Sequence, residues 1–183
     1  PATARLEDTV AALDTASAAS WSSPARLLLA QRYCGLGRCA EAAPLIADLR
    51  EKVDCGATMF DAPVRLAEAW LAAAEGHLSG AIAAALHAAD VAAQSGQRAI
   101  ELMALHAAAR FGDRTCLQRL IEIAETIGGP LATADAAHAR GLMNHDGAQV
   151  YSSACEFERI GAVLSAADAA APDHGIAEKP TQG

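Results

Sequence analysis

Three glycines recur along this chain at nearly even spacing, each between two alanine-rich stretches. Gly37, Gly76 and Gly112 lie 39 and 36 residues apart, and His145 takes the same place 33 residues further on. The clearest copy is Ala67 to Asp90, AEAWLAAAEGHLSGAIAAALHAAD. It reads as a helix, a tight break at Glu75-Gly76-His77, and a second helix. Glycine suits the break because it takes a positive φ without steric cost. Pro24 and Pro63 each precede their glycine by 13 residues. Five residues after each turn position stand Ala42, Ala81, Leu117 and Val150; seven before stand Ala30, Ala69 and Leu105; four before stand Tyr33, Ala72 and Ala108. A period of this length means repeated helical hairpins, each too small to bury its apolar face alone.

The apolar pattern agrees. Leu66, Trp70 and Ala73 form one stripe of a helix whose other stripe is Val64, Ala67, Leu71 and Ala74. A helix apolar on two sides must be covered on two sides, as in a stacked array. Aromatic residues make up only 4% of the chain, too few for an ordinary β-sandwich or barrel. Alanine dominates the apolar content, and alanine is the strongest helix former.

Taken in order, residues 3–19 carry Leu6, Val10 and Leu13 at helical spacing, and Ser20-Trp21-Ser22-Ser23 is expected to break that helix. Ser23 as N-cap and Pro24 at the first helical position predict a new start running to Gly35-Leu36-Gly37. A partner helix follows from about Ala40 to Val53, with Pro44 in its first turn and Cys55-Gly56 at its end. Asp61 and Pro63 open the next helix, and Ser79 is the expected cap of its partner, closed by Gly96. The third pair runs from Gln97 to Phe111, and from Asp113 as cap to Gly128-Gly129. Pro130 opens the fourth, which breaks at His145-Asp146-Gly147 and continues to Ile160. A short helix over 162–171 follows Gly161. The expected organisation is one all-α helical-repeat domain over 1–171, its first unit truncated, and a disordered tail over 172–183.

The formal net charge of −8 disfavours direct nucleic-acid contact by this segment, since phosphate neutralisation needs a basic surface. No apolar run is long enough for a membrane span. The opening, PATARLEDTV, lacks both Met and the pattern of a signal peptide, and reads as part of a longer protein. The five cysteines are odd in number and scattered, which suits reduced thiols and a cytoplasmic location.

The helix–glycine–helix period with small residues at set places resembles the tetratricopeptide-repeat family, best in EGHLSGAI and next in GRCAEAA. The usual tryptophan and aromatic positions are mostly lost and unit lengths vary. The fold this implies is a short right-handed solenoid of about four antiparallel hairpins. The longer stretch AWLAAAEGHLSGAIAAALHAADVAAQSGQRAIELMALHAAARFGD, with ETIGGPLATADAAHARGL, resembles the helical-repeat region of actinobacterial LuxR-type transcriptional regulators, which are themselves similar to MalT-like signal-transduction ATPases. The resemblance covers about residues 25–170. Those proteins commonly join an ATPase module, a tetratricopeptide-like region and a C-terminal helix-turn-helix. This chain contains no G-x-x-x-x-G-K-[ST] loop and no recognisable helix-turn-helix of that class. The resemblance therefore implies a sensor or linker segment without ATP or DNA chemistry. The alternative is a stand-alone tetratricopeptide-like scaffold with no transcriptional role.

Chemistry-bearing residues are sparse, and no catalytic, cofactor or metal site is expected. His138 and His145 stand seven apart on one predicted helical face, without a third ligand. Cys34 and Cys39 have no second pair, and Glu122/Glu125 and Glu156/Glu158 read as solvated faces. An all-α enzyme using the histidines or cysteines is the third reading. One row is more suggestive: Gln31, Trp70 and His106 each stand six residues before a turn glycine, and Arg110 lies one turn beyond His106. In a tetratricopeptide-type stack these positions face the concave side, where a peptide, an effector or a neighbouring domain binds. The competing role is packing between repeats, above all for Trp70.

Overall fold

The computed structural model describes residues 2–15 and 19–171. Among them are ten α-helices, one 3₁₀ turn and no strand, so the all-α class holds. No helix among the described residues is long and apolar enough to cross a membrane. The tail from 172 and the junction at 16–18 lie outside the described residues. Where the sequence suggests one repeat domain over 1–171, the chain divides into two compact units, Pro1–Gly96 and Gln97–Gly183.

The first unit holds α1 (Ala2–Thr15), α2 (Ala19–Cys34), α3 (Cys39–Asp54), a 3₁₀ turn (Thr58–Phe60), α4 (Asp61–Ala74) and α5 (Leu78–Gln94). Each helix packs on the next, and α2 also packs on α4. Leu27, Leu29, Ala30, Ile46, Leu49 and Val64 are buried together, with Trp70 and Leu71 partly buried against them. Each fully buried aliphatic side chain of this size contributes about 1.5–3 kcal/mol. The α4–α5 hairpin is built differently: every buried residue of α5 is an alanine, namely Ala81, Ala85, Ala88, Ala89 and Ala92. Such a face buries little area per residue and gains its packing from close backbone approach. Arginines fasten neighbouring helices. Arg50 of α3 donates to both Asp61 (2.7 Å) and Glu68 (2.8 Å) of α4, and Arg26 of α2 pairs with Asp14 of α1 (2.7 Å) and Asp48 of α3 (3.2 Å).

The second unit holds α6 (Arg98–Arg110), α7 (Leu117–Ile127), α8 (Pro130–Met143), α9 (Gly147–Arg159) and α10 (Val163–Ala169). Again each helix packs on its successor, and α6 also packs on α8. Phe157, Leu105, Leu120 and Leu142 are its largest fully buried apolar side chains.

The four turn positions share one geometry. The amide three or four residues beyond each first helix donates to the carbonyl five back: Arg38 to Tyr33, His77 to Ala72, Asp113 to Ala108 and Asp146 to Gly141, at 2.8–2.9 Å. The residue before it has positive φ: 70° at Gly37, 84° at Gly76, 108° at Gly112 and 52° at His145. These paired bonds satisfy carbonyls that a helix end would otherwise leave open. His145 is the one described non-glycine residue with positive φ, so it occupies the place the spacing assigned to it.

Local starts differ from expectation. Helix α2 begins at Ala19 and runs through Pro24, because Ser22 and Ser23 are buried in tertiary packing, which overrides their capping preference. Pro44 lies well inside α3. The N-cap of α5 is His77, not Ser79, and its side chain makes no capping bond. Asp113 accepts from the amide of Cys116 (2.8 Å), capping a turn that precedes α7. Asp146 is a full side-chain cap, accepting from the amides of Ala148 and Gln149 at the start of α9.

A buried histidine-aspartate-arginine cluster as candidate functional site

The caps give every first helix a common register. Ten and seven residues before the turn stand Leu27 and Ala30 in α2, Leu66 and Ala69 in α4, and Leu102 and Leu105 in α6, all buried. In α8 the same two positions hold Asp135 and His138, also buried. The fourth hairpin therefore places a carboxyl and an imidazole where its siblings place core hydrocarbon.

These side chains meet His106 of α6, because α6 and α8 pack together. His106 Nε2 lies 3.4 Å from His138 Nδ1, and His106 Nδ1 lies 3.1 Å from Asp135 Oδ1. Phe157 of α9 closes the cluster, stacked on His106 at 5.5 Å and edge-on to His138 at 6.0 Å. Arg110, one helical turn beyond His106, completes the group and donates through Nε to Asp168 of α10 at 2.6 Å.

Burial governs the charge states. It holds the His106 imidazole well below its ordinary range, with Arg110 and His138 acting in the same direction, so His106 is neutral at neutral pH. Burial pushes the Asp135 carboxyl up to about 7, against an opposing pull from Arg110. Although Oδ1 of Asp135 is within ion-pair distance of His106, it receives no hydrogen bond, and a carboxylate without such donors gains little in its charged form. The cluster can therefore bind and release a proton near neutrality inside a helical core.

Of the residues singled out by sequence, Gln31 is half-buried on α2, and Trp70 is half-buried on α4 against the core of the first unit. His106 is only 7% exposed: α8 covers that side of α6, so the imidazole does not line an open face. Arg110 is brought beside it, mostly buried. His138 and His145 do not share a helical face, since α8 ends at Met143 and His145 is exposed in the turn. Among the described residues no three His, Cys, Asp or Glu side chains are grouped to hold a metal ion. Asp135 and His138 address opposite nitrogens of His106 and do not converge on one point. Asp135 was not singled out by sequence; the signal was an acidic residue ten positions before His145, where the other three units have leucine.

A second polar feature lies on α6 and α7. An open cleft of about 260 Å³ is lined by Arg98, Glu101, Arg119, Glu122, Ile123 and Thr126. Arg119 donates to the buried Glu101 carboxylate at 3.0 Å. This is a helix-to-helix ion pair first of all, since the charge it neutralises is buried.

In comparison with known proteins, no family model, no curated protein and no solved structure gives a significant match to this chain.

Proposed function

We propose that this chain is a non-catalytic, tetratricopeptide-like module that binds a protein, a peptide or a neighbouring domain. The observation that carries the reading is the register. Four caps of one geometry, two in each unit, turn each first helix into its partner. Within each unit, first helices pack on first helices as well as on their own partners, α2 on α4 and α6 on α8. That is the contact pattern by which repeats stack instead of forming a closed bundle. First helices also present large apolar side chains to solvent, Leu28 on α2, Met103 on α6 and Leu131 on α8, and Trp70 on α4 is half-buried. Such side chains suit the apolar anchors of a peptide or helix.

The finer proposal is that the module belongs to a LuxR-type regulator, similar to MalT-like signal-transduction ATPases, where occupancy of the repeat surface is passed to attached domains. It rests on the alanine-rich phrases of residues 25–170. The flanking reading frame tests it: a P-loop module upstream and a helix-turn-helix downstream support it, and their absence leaves the scaffold reading. Those flanking segments, expressed separately, should bind this chain saturably in calorimetry. Trp70→Ala and Gln31→Ala should weaken the binding, by about tenfold where the side chain is an anchor. Binding that neither substitution alters would refute the assignment of this face.

A further inference from the structure

We propose that the cleft on α6 and α7 binds a free α-amino acid, whose ammonium group donates to the buried Glu101 carboxylate while its own carboxylate is held by Arg98. The site lies within the second unit and shares no residue with the apolar anchors assigned above to protein binding. Glu101 carries the argument. It is 5% exposed and lines an open cleft of about 260 Å³. Arg119 of α7 meets it at one oxygen, with Nε 3.0 Å and Nη2 2.9 Å from Oε1. Oε2 is buried and receives no hydrogen bond. A buried carboxylate oxygen without a donor is costly, and such a group in a folded protein calls for an explanation. Arg98, one turn earlier on α6, brings Nη1 only to 4.0 Å from Oε2, beyond hydrogen-bond reach. Its side chain is 59% exposed and, among the described residues, makes no hydrogen bond. The guanidinium can therefore turn outward and leave that oxygen to a ligand.

The other residues of the cleft select the class of ligand. Glu122 sets a second carboxylate on the α7 side, where Oε1 accepts from Gln118 at 2.8 Å. Thr126 donates its hydroxyl to the Glu122 carbonyl at 2.9 Å and keeps its oxygen lone pairs for a donor. Acceptors for an ammonium group and a guanidinium for a carboxylate thus line one space. A ligand with positive charge alone would meet two arginines, and one with negative charge alone would meet two glutamates. A zwitterion matches both. The volume falls below the roughly 300–1,000 Å³ of pockets that enclose drug-sized ligands, which suits a molecule of amino-acid size. An open cleft with few contacts gives binding in the millimolar range.

The test is amide NMR of the full chain, titrated separately with each of the common L-amino acids, and with methylamine and acetate as single-charge controls. At least one amino acid should shift the amides of α6 and α7 around the cleft saturably, and neither control should do so at the same concentration. For that amino acid, Arg98→Ala and Glu101→Gln should each raise Kd by about tenfold, the scale of one charge-assisted hydrogen bond. Glu125, paired with Arg140 of α8 and outside the cleft, serves as the control, and Glu125→Gln should leave Kd unchanged. Should Glu101→Gln fail to fold, the exposed Arg98→Ala still decides. The proposal is overturned when no amino acid gives saturable shifts around the cleft, or when methylamine or acetate binds as tightly. A Kd that either folded variant leaves unchanged overturns it as well.

Discussion

Two helical glycines allow the same substitution to be predicted with opposite signs. Gly141 lies in α8, four residues before the turn at His145, where the other hairpins have Tyr33, Ala72 and Ala108. A Cβ built on it would sit 2.8 Å from Val150 Cγ2, 2.9 Å from the Val150 backbone nitrogen and 3.3 Å from the carbonyl carbon of Gln149. The valine methyl can rotate away; the backbone of α9 cannot, so the hairpin must open. Overpacking of this kind costs about 1–3 kcal/mol, and a clash with backbone belongs in the upper half of that range. Against it, alanine improves on glycine in a helix by roughly 0.5–1 kcal/mol. Gly141→Ala should therefore destabilise the second unit by about 1–2 kcal/mol. Gly80 in α5 has nothing within 4 Å of its would-be Cβ, so Gly80→Ala should stabilise the first unit by roughly 0.5–1 kcal/mol. Urea melts of the full chain, with hydrogen exchange to separate the units, measure both. In a thermal melt the shift should be about 4–8 °C per kcal/mol for units of this size. Adding Val150→Ala to Gly141→Ala should recover only part of the loss, because the amide nitrogen remains. A neutral or stabilising Gly141→Ala would mean that α8 and α9 do not approach as closely as described.

The turn at His145 predicts a gain: the imidazole-bearing residue sits at φ 52° where three siblings have glycine, so His145→Gly should add about 1 kcal/mol, and a loss in a urea melt would contradict the common cap. Burial pushes the Cys34 thiol up to about 11 and the Cys116 thiol to about 12, while Cys55 and Cys155 are exposed. A disulfide reagent at neutral pH should thus modify Cys55 and Cys155 first and the buried pair only on unfolding; mass spectrometry showing early modification of Cys34 or Cys116 would refute this. The pH dependence of the second unit has two limbs. Folding depresses the His106 pKa, so its contribution is lost as pH falls below the ordinary 6.5. Folding raises Asp135 from 3.8 to about 7, so its contribution is lost as pH rises from about 4 through 7. Relative to the native chain, Asp135→Asn should gain roughly 2 kcal/mol between pH 5 and pH 8, and a difference independent of pH would remove Asp135 from the account.

The hairpins were legible in sequence because their signals are local. A cap needs one residue at positive φ, followed by an amide that donates to the carbonyl five residues back, so the glycines mark it, and spacing alone places His145 among them. What sequence misread depends on partners distant in the chain. Ser22-Ser23-Pro24 has the local chemistry of a helix start, yet α2 extends through it because both serines are buried. His106 was placed on an open face by its position before the turn; α8 covers it. Asp135 and His138 escaped because each is unremarkable alone. They become informative only when the register is carried into the fourth hairpin and an acid appears in a column of leucines. The division into two units was not legible, since the turn at Gly96 has the same positive-φ glycine, at 71°, as the turns inside each unit.

That column is also the argument for treating the cluster as more than packing. Leucine at the outer position, with alanine or leucine at the inner one, fills the same place in three hairpins. Apolar side chains therefore satisfy this site, and each buried leucine contributes about 1.5–3 kcal/mol. Asp135 forgoes that gain and adds the cost of dehydrating a carboxyl, which raises its pKa to about 7. The compensation is partial: Phe157 stacks on His106 and Arg110 lends its charge, yet Oδ1 of Asp135 receives no hydrogen bond. A group that lowers stability where an apolar residue would fit is where a role outside folding should be sought.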